Sequence, residues 1–415
     1  MGTVIGAGVF FKTATVVNFT HSVGLTLLAW LVGGLLTLTA GLTVAELATM
    51  MPETGGAVKY LEKAYGKLAG FLLGWAQSFL YYPANIAALA MIFSTQLINL
   101  FQLNDKLLIP ISLVTSISIT GINLVGTKFT TRVQNVTLLI KLIPILIIVG
   151  ASFFAPTPSH FSFWPADTHA TVNFSGALLA TLFAYDGWLG LTAMAGEMKR
   201  PEKDFPKAII LGLSSVTVIY LLINWGILKA LPLEMIAGNA NATSLAATKL
   251  LGNIGGKVVT VGLLISVYGA LNGYTLSGIR VPYALALENQ WPASHFFKKL
   301  AKKTQVPYRV ALFQLALSCL MLFLGSFDLL TDMAIFIVWI FSLLLFFAVI
   351  RLRKSQPEIT RPYRVPFYPL VPLVAIAGAS FILIMTIITQ TNLAFIGIGV
   401  TLLGIPVFYL LQRKK

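Results

Sequence analysis

Charge is what this sequence has least of. Of its 415 residues only 10% are Asp, Glu, Lys or Arg, while 57% are hydrophobic; an ordinary soluble domain carries roughly 25% charged residues. With a mean hydropathy of +0.85, the chain reads as an all-α integral membrane protein with many spans. Cysteine is almost absent. The single Cys319 lies in the apolar run Val310 to Leu324, so no internal disulfide is possible and no redox compartment can be read from it. The four histidines, His21, His160, His169 and His295, fall outside the apolar spans and lack metal-ligand spacing, and no Gly-x-x-x-x-Gly-Lys-Ser/Thr sequence is present. No metal, cofactor or nucleotide-driven chemistry is therefore expected, and the chain does not read as an enzyme. A channel would be expected to carry a repeated pore motif or a charged ring, and neither is evident. Acidic residues number 14 against 29 basic ones, a net charge of +15. In a soluble protein that excess would suggest nucleic acid; here the basic residues sit in short loops between apolar spans, so the partner they point to is the lipid bilayer.

Apolar runs of about 17 to 25 residues, bounded by polar, proline or glycine breaks, give twelve candidate spans. Their approximate limits are 1–17, 23–50, 68–101, 107–126, 133–154, 174–196, 206–230, 256–288, 308–325, 329–350, 367–390 and 393–411. Connections are short, leaving a single membrane domain over 1–415; only 155–173, 231–255 and 289–307 have room for small lids or surface helices. Lys63/Lys67, Lys128/Arg132, Lys199/Arg200/Lys203/Lys207, Lys298 to Arg309, Arg351 to Arg364 and Arg413 to Lys415 all fall on one side of this count. The opposite connections are nearly free of base. The bias predicts cytoplasmic N- and C-termini in the cell (inner or plasma) membrane. Only five residues precede Gly6, so the first span begins abruptly; either the chain starts late or Met1 is an internal or alternative start, and the second reading is preferred.

Two spans contain breaks. The first carries Val4-Ile-Gly-Ala-Gly-Val-Phe10 and the sixth Phe183-Ala-Tyr-Asp-Gly-Trp188. Glycine in a membrane helix is often only a packing residue, but two breaks five spans apart match inverted-repeat transporters, in which interrupted helices bind substrate at the midplane. The expected repeats are 1–154 (spans one to five) and 174–350 (six to ten), with 367–411 (eleven and twelve) outside this 5+5 arrangement. Amides at Gly6, Ala7 and Gly8 would present the positive end of a half-helix to a carboxylate, and carbonyls at Val4, Phe183, Ala184 and Asp186 would accept hydrogen bonds from an ammonium. An amino acid carries both groups on one carbon. Lys141, in the run Val136 to Val149, lies about eight residues, or ~12 Å at the helical rise, past its basic loop, near the midplane. A charge there costs at least ~2.5 to 3.5 kcal/mol on insertion scales and must face protein or water.

These residues resemble the L-amino-acid transporter family of the amino acid-polyamine-organocation superfamily. The likeness rests on Ile5-Gly-Ala-Gly-Val-Phe10, Ala45 to Gly56 with Tyr60 and Tyr65-Gly66, Phe183 to Trp188, Gly196 to Ala208, Asn272-Gly273 with Arg280, and Arg361 to Pro369. Bacterial exchangers of the serine/threonine and alanine-serine-cysteine types are similar members. The resemblance implies a LeuT-like fold with broken helices one and six, and sodium-independent obligatory exchange of small neutral L-amino acids by alternating access. It implies substrate binding by Val4, Ile5, Gly6, Ala7, Gly8, Phe183, Ala184 and Asp186. Phe183 is implied as an aromatic gate, and Lys141 as a built-in cation contacting span-one carbonyls and span eight, where sodium-coupled relatives bind the ion. Ala7 stands where many relatives have Ser, and Asp186 where animal relatives often have Gly. Asp186 either faces the pocket or caps freed amides in the break. Tyr220 is a weaker pocket candidate, and Glu46 and Arg280 are expected to organise loops. If Lys141 titrates, a proton-coupled neutral or cationic amino-acid symporter is the alternative. Animal relatives join a glycoprotein through a cysteine between spans three and four; Phe101 to Lys106 has none, so no disulfide-linked ancillary subunit is expected.

Overall fold

The computed structural model describes residues 4–52, 55–155, 162–167 and 170–413, and among them the chain is helical with no strand. Positions 53 and 54, together with His160 and His169, lie outside the described residues. In chain order, α1 (Gly8–Thr20) and α2 (Val23–Met50) precede the short α3 (Ala57–Tyr65). One rod then combines α4 (Lys67–Ala76), a π-turn at Gln77–Tyr81 and α5 (Tyr82–Phe101). There follow α6 (Leu108–Val125), α7 (Thr127–Ile140), α8 (Leu142–Phe154), α9 (Phe174–Ala184) and α10 (Pro201–Ala230). The remainder comprises α11 (Leu233–Ile236), α12 (Ala242–Leu287), α13 (Ser294–Phe297), α14 (Tyr308–Met321), α15 (Phe327–Ser355), α16 (Leu370–Thr389), α17 (Thr391–Leu402) and α18 (Gly404–Gln412).

Among the described residues eight helical rods are long and apolar enough to cross a membrane: α2, α4–α5, α6, α10, α12, α15, α16 and α17–α18. Many of their large apolar side chains point outward; Val114, Leu211 and Phe395 are each more than 60% exposed. Hydrocarbon solvates such a surface, where water would not. The expected spans one, five, six and nine are the ones represented by shorter or interrupted helices, and the interruptions have local causes. Proline lacks the N–H that would bond four residues back. Pro144 thus frees the Ile140 carbonyl and divides α7 from α8 at Lys141, Pro406 divides α17 from α18, and Pro83 follows the π-turn. The segment expected as a connection at 231–255 holds α11 and the front of α12. That front meets the spanning part at a kink on Gly252, with φ 73° and ψ 179°.

Capping fixes where several spans begin. Ser22 accepts from Leu25 N–H at 3.3 Å at the head of α2, Asn173 from Gly176 N–H at 2.9 Å at α9, and Ser326 from Leu329 N–H at 3.3 Å at α15. Around these spans the front of α12 and α11 fold over α1: Gly238 N–H donates to the Ala14 carbonyl at 3.1 Å, and the Thr243 hydroxyl donates to the Phe10 carbonyl. Gln96 at the end of α5 ties the same segment down through the Ala240 carbonyl and Asn241.

Candidate functional site

Helices α1 and α9 lie side by side and antiparallel. The start of α1 meets the end of α9 at Gly8 and Ala184, while the far end of α1 meets the start of α9, where Asn173 N–H donates to the Phe19 carbonyl at 2.9 Å. A Cβ on Gly8 would stand 2.4 Å from the Ala184 Cα, so only glycine permits this approach. Gly6 differs. A Cβ there would meet Ala270 at an ordinary 3.7 Å, so packing by itself does not require glycine at that position. Both breaks are therefore brought together. Val4 to Ala7 form a non-helical turn before α1, and α9 ends at Ala184 and passes through Gly187, with φ 97°, into a 3-10 stretch at Trp188–Glu197. The positive φ suits glycine and few other residues.

Side chains from other helices grip the exposed carbonyls of the turn. The Tyr220 hydroxyl of α10 lies 3.0 Å from the Val4 carbonyl oxygen and 2.9 Å from that of Ala184, bridging the two breaks with one proton. Lys141 Nζ, at the α7–α8 junction and 4% exposed, donates to the Ile5 carbonyl. The lysine expected to reach the span-one carbonyls does so. The helix bearing it also docks on α12: Asn272 Nδ2 donates to the Thr130 carbonyl at 3.2 Å and to Gln134 Oε1 at 3.2 Å. Ala7 and Gly8 are buried, and the Ala7 carbonyl accepts from Phe10 N–H at 3.1 Å. The Phe183 carbonyl accepts from Asp186 N–H at 3.2 Å.

Asp186 lies within hydrogen-bonding reach of the Gly187 amide in its own break, as the capping alternative has it, and adds a contact that neither alternative specified. Its buried carboxylate accepts hydrogen bonds from two phenols, Tyr81 in the π-turn and Tyr274 in α12, the latter at 3.0 Å. The Tyr81 and Tyr274 rings are 6.0 Å apart. The break in α9 is thus tethered to two neighbouring helices. Phe183, 5% exposed, packs edge-on against Phe327 with ring centroids 5.8 Å apart.

Several polar partners escaped the sequence reading. Tyr81 and Tyr274 did, although Tyr81-Tyr82-Pro83 and the Asn272-Gly273-Tyr274 run were visible signals. Lys12 did too: it is wholly buried in α1, with Nζ 2.7 Å from Asp328 and 3.3 Å from Asp332 of α15. Its placement resembles that of Lys141, a lysine within an apolar run. Glu46 of α2 makes a forked pair with Arg353 of α15, at 2.7 and 2.5 Å, and also accepts from the Val365 N–H at 2.9 Å, so it organises a helix end and the loop after it. Arg280 is exposed.

Comparison with known proteins agrees with this geometry. The amino acid permease family matches residues 1–410, and the chain belongs to that family. It is 41% identical to the serine/threonine exchanger SteT of Bacillus subtilis, over 100% of this chain and 95% of that protein. The mouse large neutral amino acids transporter small subunit 2 is 30% identical, over 99% of this chain and 78% of its own length. The human cystine/glutamate transporter is 28% identical, over 99% and 82% respectively. The chain is accordingly a multi-pass membrane transporter and not an enzyme.

Proposed function

We propose that this permease exchanges small neutral L-amino acids of the alanine, serine, threonine and cysteine kind across the cell membrane, by alternating access and without sodium. The observation that carries the reading is the meeting of the two breaks at Gly8 and Ala184, with Tyr220 bridging the Val4 and Ala184 carbonyls. Backbone groups of both breaks then hold the carboxylate and ammonium common to all amino acids, and side chains around them choose the third substituent. Val4, Ile5, Gly6, Ala7 and Gly8 contribute from the first break, and Phe183, Ala184 and Asp186 from the second. The 41% identity to a protein named a serine/threonine exchanger supports small neutral substrates and exchange.

The architecture that goes with this reading has twelve spans. The eight long rods are supplemented by α1, by α7 with α8, by α9 with its 3-10 continuation, and by α14. Residues 1–154 and 174–350 form inverted repeats of five spans each, and 367–411 add two more, with both termini in the cytoplasm. A break in the first helix of each repeat and their antiparallel packing support this arrangement. Phe183 closes the site from outside, and Lys141 supplies a fixed cation under the Ile5 carbonyl in place of a sodium ion. Lys141→Ala is expected to reduce exchange by tenfold or more, at roughly the 1.5–3 kcal/mol of a hydrogen bond to a charged group, with a smaller effect on substrate affinity.

Purified protein in liposomes tests the function. Vesicles preloaded with unlabelled alanine or serine should take up the labelled amino acid with neither a sodium nor a pH gradient, and empty vesicles should not. Gradient-driven uptake into empty vesicles would replace exchange with symport. No uptake of any amino acid would remove the substrate class.

A further inference from the structure

The geometry points to Lys12 as the positioning residue of the outer closure. Held by Asp328 and Asp332, its ammonium fixes the Phe183 and Phe327 rings over the joined breaks when α1 and α15 are together, and water takes its place when they part. Four observations carry this. Lys12 Nζ bridges two carboxylates of α15 at 2.7 and 3.3 Å, and Asp328 and Asp332 stand four residues apart on one helix face. Nζ also lies 5.5 Å from the Phe183 ring centroid and 5.1 Å from that of Phe327, within cation–π range of both. The two rings are themselves packed edge to face. Finally, the cluster is buried at one end and open at the other: Lys12 is wholly inaccessible and the Asp332 side chain 8% exposed, whereas that of Asp328 is 49% exposed.

That gradient of exposure sets the energetics. While α1 and α15 are in contact, the ammonium and the deep carboxylate depend on one another, because each would otherwise be a buried charge without a counter-ion. Thr15 Oγ1 donates to Asp328 at 2.9 Å and Gln390 Nε2 to Asp332 at 2.9 Å, adding one further hydrogen bond to each carboxylate. When the helices separate, the same charges reach water through the Asp328 end, and the pair is not required. Removing one partner therefore penalises the closed form far more than the open form. A brace in a permanently packed core would have no open form to favour.

The inference rests on the exchange reading for what the closure serves, but its test does not need transport. In the full chain with Cys319→Ser, the chain's one native thiol is removed, and Ile335→Cys places a reporter on α15 one turn deeper than Asp332, at a position wholly buried here. Labelling by a membrane-impermeant maleimide is followed on intact cells and on inverted vesicles. Lys12→Met should raise the rate from the external side about tenfold or more, corresponding to loss of one charge-assisted hydrogen bond from the closed form. Lys12→Arg should stay close to the parent, and combining Lys12→Met with Asp328→Asn and Asp332→Asn should recover much of the low rate, since an unpaired charge opens the closure. If Lys12→Met does not accumulate, Asp328→Asn, at the exposed end, is the second variant and should raise external labelling by a smaller factor. Unchanged labelling in both variants would overturn the proposal, as would a rise only in inverted vesicles. Raised external labelling in a protein that exchanges no amino acid would leave the closure standing and remove the exchange reading alone.

Discussion

The two breaks solve the same problem in opposite ways. At the first, the chain supplies little of its own: Gly6 and Gly8 have no side chains, and the freed carbonyls are held by Tyr220 from α10 and Lys141 from the α7–α8 junction. At the second, the chain sends a side chain outward. Asp186 reaches Tyr81 in the π-turn and Tyr274 in α12, and Gly187 supplies the positive φ. The first break only receives contacts, whereas the second receives Tyr220 at Ala184 and also exports a carboxylate. Together they couple the joined breaks to four other elements, so a movement of α1 and α9 against the rest must exchange named hydrogen bonds.

The largest effect should come from the point where the breaks touch. Gly8→Ala puts a methyl group 2.4 Å from the Ala184 Cα and 2.8 Å from its Cβ, neither of which is the end of a flexible chain. Overpacking of this kind costs about 1–3 kcal/mol, and exchange in liposomes should fall by about tenfold or more together with the thermal midpoint in detergent. Gly6→Ala is the control within the same turn. Its methyl meets Ala270 at 3.7 Å, so the midpoint should hold while amino-acid affinity falls. Equal losses of stability in the two variants would mean that both glycines serve packing only.

The second break is challenged by Asp186→Asn. Both phenols donate to one oxygen of the carboxylate, so an amide oxygen there still accepts from both, but the two charge-assisted bonds become neutral ones of about half the strength, a change of roughly 1–2 kcal/mol. The thermal midpoint and the exchange rate should both decline. The order of preference among amino acids should not change, because the carboxylate is engaged by Tyr81 and Tyr274. A shift of preference toward or away from lysine and arginine would show instead that the carboxylate meets the substrate.

The same contrast explains what the sequence disclosed. The breaks were legible because glycine in an apolar run is a local signal, and Lys141 because a charge in such a run stands out. Lys12 stood out equally, in Phe10-Phe11-Lys12-Thr13, yet its meaning depends on Asp328 and Asp332, more than three hundred residues away. Tyr81 and Tyr274 were harder still: an aromatic residue in a span is usually packing, and nothing local reveals that two phenols converge on one carboxylate. The eight long spans followed from length and hydropathy. The shorter first, fifth, sixth and ninth elements reflect breaks and proline positions, which an apolar count alone passes over.

The smallest and most discriminating effect is expected at Tyr220. Tyr220→Phe keeps the ring against Trp30 and Tyr185, whose centroids lie 5.5 and 5.0 Å away, and removes only the hydroxyl between the Val4 and Ala184 carbonyls. A neutral hydrogen bond is worth about 0.5–1.5 kcal/mol net, or roughly a two- to tenfold change in an equilibrium constant. If that proton holds the two breaks together, the variant should separate them more readily: substrate affinity in a binding assay weakens by this factor, while the thermal midpoint without substrate moves little. The opposite pattern, an intact affinity with a lowered midpoint, would make Tyr220 a packing residue of α10 and leave the contact at Gly8 to join the breaks unaided.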